Sequence, residues 1–279
     1  MDWREIKKID GHVHILPEEV HLANPDEVNE FSYAKLKDHL KIMDKYNIKK
    51  SIIMPFNDPF LMSMGFNVES VHENLINMCD SSTNRYYAFA DLDIRNSEDA
   101  TLKSIKDIWG NKNIKGIKIH PNNTRMNIDD KYNDNIFELA RELDIPIAIH
   151  SYPSRKSDKN DFSSPKRIAN LINRHPKVKV IISHMGGFQW KDLLELDNFI
   201  DISASLPDLV SKYGIENTNT ILRKFGVEKL IFGTDWPCSR SLKVKDIYSN
   251  YFDILNQMDF NKEEAEKIAY NNISELLNL

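Results

Sequence analysis

Hydrophobic positions along the chain alternate between two textures. Short apolar runs rich in β-branched residues recur at 6–14, 50–55, 86–92, 116–120, 146–150, 178–184, 199–203 and 229–235. Between them lie longer stretches with apolar residues at helical spacing, at 24–47, 67–83, 97–109, 130–143, 164–175, 187–196, 206–225 and 243–257. A last one, 261–278, opens with Asn261 and carries Glu264 three residues later, a capping-box start. Strands alternating with helices predict a parallel sheet. Eight such units in 279 residues predict an α/β fold, a closed (β/α)8 TIM barrel spanning 1–279 as one domain. A doubly wound sheet is the competing arrangement, but no Gly-x-Gly-x-x-Gly turn follows any run. No internal repeat, low-complexity tract or linker interrupts the alternation.

Composition narrows the function classes. Hydrophobic residues make up 41%, enough for a core, and charged residues 28%, enough to cover it. A net charge of -5 gives no bulk attraction to nucleic acid. Cys79 and Cys238 are the two cysteines, far apart in sequence, so no disulfide framework is expected and a reducing compartment fits. The segment Met1-Asp2-Trp3-Arg4-Glu5 has no apolar signal core, and no apolar run reaches the roughly 18 residues of a membrane span. The expectation is a soluble cytoplasmic protein acting on a small molecule, with no nucleic-acid or membrane partner and with a homodimer left open.

The candidate chemistry lies at the C-terminal ends of the runs, where a barrel of this type carries its active site. The first ends in His12-Val13-His14, whose side chains share one face of an extended strand. The fourth ends Lys118-Ile119-His120, the fifth Ile149-His150, the sixth Ser183-His184-Met185-Gly186-Gly187, and the eighth Gly233-Thr234-Asp235-Trp236-Pro237. Five of the nine histidines and one aspartate thus gather at strand ends, a small part of the chain. Each alone could be a satisfied core residue; together they predict a metal site. Imidazole nitrogens suit Zn, and also Fe, Co or Mn when carboxylate completes the set.

On these residues the chain resembles the amidohydrolase superfamily. Within it, the chain resembles the group of metal-dependent hydrolases and decarboxylases related to aminocarboxymuconate-semialdehyde decarboxylase. The likeness rests on Asp10-Gly11-His12-Val13-His14, the His150 and His184 strand ends, Gly233-Thr234-Asp235-Trp236-Pro237, and Ile268-Ala269-Tyr270-Asn271-Asn272 in a closing helix. It implies one divalent metal, Zn first, held by His12, His14, His150 and Asp235, with His184 beside it orienting water or polarising substrate. A divalent cation lowers the pKa of its water from 15.7 to about 7, and a carboxylate such as Asp235 could take that proton. In two-metal relatives a lysine on the fourth strand is carbamylated and bridges the ions. Here His120 holds that strand tip and Lys118 lies two residues deeper, which leaves an inward lysine near the site, a bridging carbamate or a plain barrel lysine. One metal is the expectation. The implied activity is hydrolysis of an amide, ester or lactone, with nonoxidative decarboxylation of an unsaturated or aromatic acid as the alternative. A barrel that has lost catalysis is the rival of a different class.

Loops after the runs supply candidate substrate contacts. Lys118, His120, Arg125, Arg155, Lys156, Trp236 and Arg240 lie on the expected mouth or just beneath it, and the four basic loop residues suit an anionic substrate, although each alone reads as solvated charge. Gly186 and Gly187 are expected to turn a strand into its helix. Surface roles are expected for His21, His39, His72 and His175, core roles for Tyr33, Phe137 and Phe252, and a position near the pocket, without nucleophilic pairing, for Cys238.

Overall fold

The computed structural model describes residues 1–18, 21, 30–55, 67–82, 84–92, 97–153 and 161–279. Eight strands form one parallel sheet in the order of the chain: β1 Lys8–Val13, β2 Ile48–Ile53, β3 Tyr86–Ala90, β4 Ile114–Ile119, β5 Ile147–His150, β6 Val180–Ser183, β7 Phe199–Asp201 and β8 Leu230–Ile231. The chain after β8 returns against β1, where Gly11 N donates to Phe232 O at 2.9 Å, Asp235 N to His12 O at 2.8 Å and His14 N to Trp236 O at 2.7 Å. The sheet thereby curls into the expected (β/α)8 barrel, its strands buried on both faces as parallel sheets require.

Alternation along each strand divides the core into two. Ile9, Ile52, Phe89, Ala148, Ile181 and Ile231 pack together inside the barrel, with Ile273 of the last helix joining them. Their neighbours Ile53, Ala88, Ile117, Ile149, Ile182 and Ile200 face outward into the layer shared with the helices. In β1 the alternation breaks. The β1–β2 register shifts between Asp10 and Val13. Asp10 points outward to Tyr248 on the helix Ile247–Leu255, while His12 turns inward to Asp201. A plain strand would have set Asp10, His12 and His14 on one face; the irregularity re-aims the histidines. Gly233 makes room for this, since a Cβ there would stand 3.1 Å from His12 Cβ and 3.3 Å from Ser203 Cβ.

The helices follow the expected segments with four departures. The segment 206–225 divides into Ser205–Tyr213 and Ile215–Phe225 at Gly214, whose φ of 79° no helix interior accommodates. The final segment passes through a π turn, Lys267–Asn271, between Lys262–Glu266 and Asn272–Leu277; its Asn261–Glu264 capping box is present. After β6 the chain does not enter a helix directly. Met185, Gly186 and Gly187 have φ of 56°, 69° and 55°, so the glycines serve the turn that their sequence suggested. Of segment 24–47, only Glu30–Tyr33 and Leu36–Lys45 form described helices. Among the described residues no helix is long and apolar enough to cross a membrane.

Four side-chain expectations need correction. His39 and His72 are buried rather than at the surface. His39 Nδ1 lies 2.7 Å from the Tyr86 hydroxyl and its Nε2 2.6 Å from the Tyr248 hydroxyl, a tyrosine pair that lets a helix imidazole enter the core. The His175 side chain is also largely covered, held between Asp134 at 2.8 Å and Glu138 at 3.1 Å. Tyr33, expected in the core, is 51% exposed, whereas Phe137 and Phe252 are fully buried.

Candidate metal centre

Strand ends β1, β4, β5, β6, β7 and β8 converge on one polar cluster above the apolar barrel interior. Its lowest layer holds Lys118 of β4, fully buried, whose Nζ donates to Ser183 Oγ of β6 at 3.0 Å. Burial pushes this ammonium down to about 8, against the pull of the Asp201 and Asp235 carboxylates. Above it His120 and His150 stack with ring centroids 3.9 Å apart and planes 19° from parallel. Both are held well below the usual histidine range, first by burial and then by neighbouring positive charge, so both are neutral.

Two donor groups sharing His12 have their candidate ligand atoms within 4.8 Å of one another: His12, His14 and Asp235, and His12, His184 and Asp201. His12 Nε2 lies 3.1 Å and His14 Nε2 3.2 Å from the same carboxylate oxygen, Asp235 Oδ1. The other nitrogen of each ring faces an acceptor: His12 Nδ1 meets Asp201 Oδ2 at 3.0 Å and His14 Nδ1 meets the Met54 carbonyl at 3.0 Å. A neutral imidazole that donates from Nδ1 has a lone pair at Nε2. Two lone pairs and a carboxylate oxygen therefore point at one another, and only positive charge among them, from a metal ion or from protons, makes that arrangement stable. Consistently, His12 Nε2 and Asp235 Oδ1 are buried without a hydrogen-bond partner, a cost of about 1–3 kcal/mol per group if left so. The residues fit a divalent ion. His150 stands outside both groups, its Nδ1 3.0 Å from His184 Nε2. His184 is pushed down to about 4 by burial and so is neutral near pH 7.

Backbone conformation concentrates strain at the same place. Asp235, His184 and Ala204 have φ of 66°, 64° and 53°, in the left-handed region that non-glycine residues rarely adopt. Asp10 braces the arrangement from behind, accepting from the Thr234 hydroxyl at 2.7 Å, the Tyr248 hydroxyl at 2.8 Å and His12 N at 3.1 Å. Burial, only partly offset by those bonds, raises its carboxyl to about 6.

A cavity of ≈ 200 Å³ opens beside the cluster, lined by His150, Tyr152, His184, Ala204, Asp235 and, at the rim, Cys238 to Arg240. The Arg240 guanidinium lies 3.6 Å over the Tyr152 ring, and the Tyr152 hydroxyl donates to Asp208 at 2.5 Å. Cys238 does reach the cavity. Trp236 instead packs its buried ring on His39, centroids 4.7 Å apart, and Arg125 is exposed on the turn after β4, so neither lines the cavity. Arg155 and Lys156 fall outside the described residues. Sequence reading missed Asp201 and Ser203. Their signal lies in the pattern: they alternate with outward Ile200 and Ile202 at the end of the seventh run, the same position that carries the candidate residues of the other strands.

Fold and cluster together define a parallel barrel with a histidine–carboxylate centre whose residues could hold a metal ion. The chain belongs to the amidohydrolase family, whose model matches residues 9–279. The resemblance drawn from the strand-end motifs is therefore borne out. No curated protein matches the chain. Among solved structures, 2,6-dihydroxybenzoate decarboxylase from Rhizobium superposes with a TM-score of 0.72 at 16% identity, covering 98% of this chain and 99% of that one. Dihydroxybenzoic acid decarboxylase from Polaromonas sp. JS666, with bound manganese and the inhibitor 2-nitroresorcinol, gives 0.72 at 14% identity, covering 98% and 97%. A probable 2-pyrone-4,6-dicarboxylic acid hydrolase from Acinetobacter baumannii, with citric acid bound, gives 0.69 at 17% identity, covering 98% and 100%. At these identities the likeness is one of fold.

Proposed function

We propose that this chain is a single-metal enzyme for a small carboxylic acid, with His12, His14, His150 and Asp235 as ligands. The observation that carries the reading is the convergence of His12, His14 and Asp235, whose candidate ligand atoms all lie within 4.8 Å of one another, with His12 Nε2 and His14 Nε2 at 3.1 and 3.2 Å from Asp235 Oδ1. Three imidazoles and one carboxylate suit Zn2+, and Mn2+ is the alternative ion. When bound, such an ion would polarise a carbonyl or hold a phenolate-like oxygen. The remaining roles fall to the chain. Neutral His184, in the cavity wall, can accept or pass a proton but does not carry charge near pH 7. Arg240, held over the Tyr152 ring and donating to the Tyr152 carbonyl at 3.4 Å, is a rim cation that a substrate carboxylate would meet. Lys118 supplies positive potential from below.

Between the two reactions weighed from the sequence, decarboxylation of an aromatic acid is the better reading. The cavity suits one planar ring beside a flat guanidinium–tyrosine face, and two of the structures similar in fold are dihydroxybenzoate decarboxylases. Hydrolysis of an ester, amide or lactone is the second reading, favoured by Asp235 standing where it could accept a proton and by the pyrone-dicarboxylate hydrolase of the same fold. Elemental analysis of protein purified without chelator should give about one divalent ion per chain. Less than a tenth of an equivalent, with no gain on reconstitution, sinks the metal centre, and two equivalents revive Lys118 as a bridging carbamate. Product decides the reaction: CO2 from 2,6-dihydroxybenzoate and related hydroxybenzoates supports the first reading, and acid release from a lactone and ester panel without CO2 supports the second.

A further inference from the structure

Asp201 lies at the C-terminal end of β7, completely buried, and donors meet both of its carboxylate oxygens. Its Oδ1 accepts from His184 N at 3.0 Å, from Ser203 N at 3.1 Å and from the Ser203 hydroxyl. Its Oδ2 faces His12 Nδ1 at 3.0 Å. An acceptor so surrounded fixes the direction of each bond that follows. The Ser203 hydroxyl has one hydrogen, and it goes to Asp201. Toward His184 Nδ1, 2.9 Å away, Ser203 Oγ must therefore accept, as does the Ser203 carbonyl at 3.2 Å from the same nitrogen. His184 thus carries its proton on Nδ1 and presents a lone pair at Nε2. That lone pair faces His150 Nδ1 at 3.0 Å, so His150 also carries its proton on Nδ1.

We propose that Asp201 is a positioning residue that, directly and through Ser203, sets the tautomers of His12, His184 and His150 from a strand that contributes no ligand. The chain runs one way: His150 donates to His184, His184 to Ser203, and Ser203 to Asp201, with His12 donating to Asp201 from the other side. Its consequence is that Nε2 of both His12 and His150 is left as a lone pair, the form a ligand must have. One carboxylate wires histidines of three strands into one protonation pattern. The inference rests on the metal centre proposed above, and it is testable without metal.

The test reads histidine tautomers by long-range 1H–15N NMR in metal-free full-length protein at about pH 9, well above the ordinary histidine range, and then measures Zn2+ affinity. Wild type should show Nδ1–H for His12, His150 and His184. Asp201→Asn should turn its carboxamide oxygen to the three donors at Oδ1, present NH2 to His12 and move the His12 proton to Nε2. Ser203→Ala should leave His12 as it is and release His184 and His150 into mixed tautomers, with Ser203→Thr restoring them. Zn2+ affinity should fall about 10–100-fold in Asp201→Asn, the usual range for removing such a partner. Should Asp201→Asn fail to fold, wild type and the two Ser203 variants still decide the matter. Nε2–H at His150 or His184 in wild type, or unchanged tautomers in Ser203→Ala, overturns the wiring. Wild type that shows the expected tautomers yet binds no Zn2+ supports the wiring and sinks the metal centre instead.

Discussion

Two lysines, one at each end of the barrel, are both buried and both pushed down by that burial, Lys8 to about 7 and Lys118 to about 8. At the N-terminal end, Lys8 Nζ donates to the carbonyls of Trp3 at 2.7 Å, Arg4 at 3.2 Å and Ile6, so all three of its hydrogens hold the entering chain against β1. Toward the C-terminal end, Lys118 bonds Ser183 Oγ and otherwise lies in the field of Asp201 and Asp235, beneath imidazoles kept neutral. The same residue type under the same desolvation thus serves architecture where backbone satisfies it and electrostatics where carboxylates surround it. Burial and a shifted pKa do not identify a functional lysine; what its hydrogens meet does.

Changes at the two ends should therefore separate, and the sharpest break is at Asp235. Asn keeps a carbonyl oxygen but is no base near pH 7, so Asp235→Asn should keep the fold and part of the metal while kcat falls by ~10²–10⁴. His12→Ala should lose metal and activity together. Metal content and kcat measured in parallel check both, and a fully metallated Asp235→Asn with near wild-type kcat would move the proton transfer to His184. Next in size is Arg240→Ala, which should raise KM about 10- to 150-fold with a smaller effect on kcat, the worth of a charge-assisted hydrogen bond. An unchanged KM would make the rim charge merely solvated.

At the other end, Lys8→Met should lower Tm by several degrees, because it strands carbonyls at about 1–3 kcal/mol per buried group, while kcat/KM per folded molecule stays at wild type. A drop in kcat/KM equal to that of Arg240→Ala would erase the distinction between the ends. The smallest effect concerns His39, between the barrel and its helices, where burial holds the imidazole down at about 3. An unfolded chain takes up this proton near the usual 6.5. Between about 6.5 and 3 it therefore binds a proton the folded chain does not, and stability falls as pH falls through that window. Urea unfolding across that range should show His39→Gln with a shallower slope by up to one proton; parallel slopes would mean that His39 is not the group titrating.

Periodicity alone determined the barrel. Eight apolar runs separated by helical stretches leave few other ways to bury both faces of every strand, so strand order followed from the sequence. Residue type at strand ends singled out His12, His14, His150, His184 and Asp235 as candidates, because imidazole and carboxylate are seldom spent where Val or Ile would serve. Three things waited for the tertiary structure. The β1 irregularity sends Asp10 outward and the histidines inward, a choice made by Gly233 and the closing strand, over two hundred residues away in sequence. His39 is a core residue only because Tyr86 and Tyr248 come to it from distant elements. Asp201 and Ser203 stand out as polar positions alternating with Ile200 and Ile202, but their partners His12 and His184 come to them only through folding. Apolar patterning is written locally, one side chain at a time, and can be read that way. A hydrogen bond belongs to two groups at once, and which polar side chain meets which is fixed only when the barrel closes.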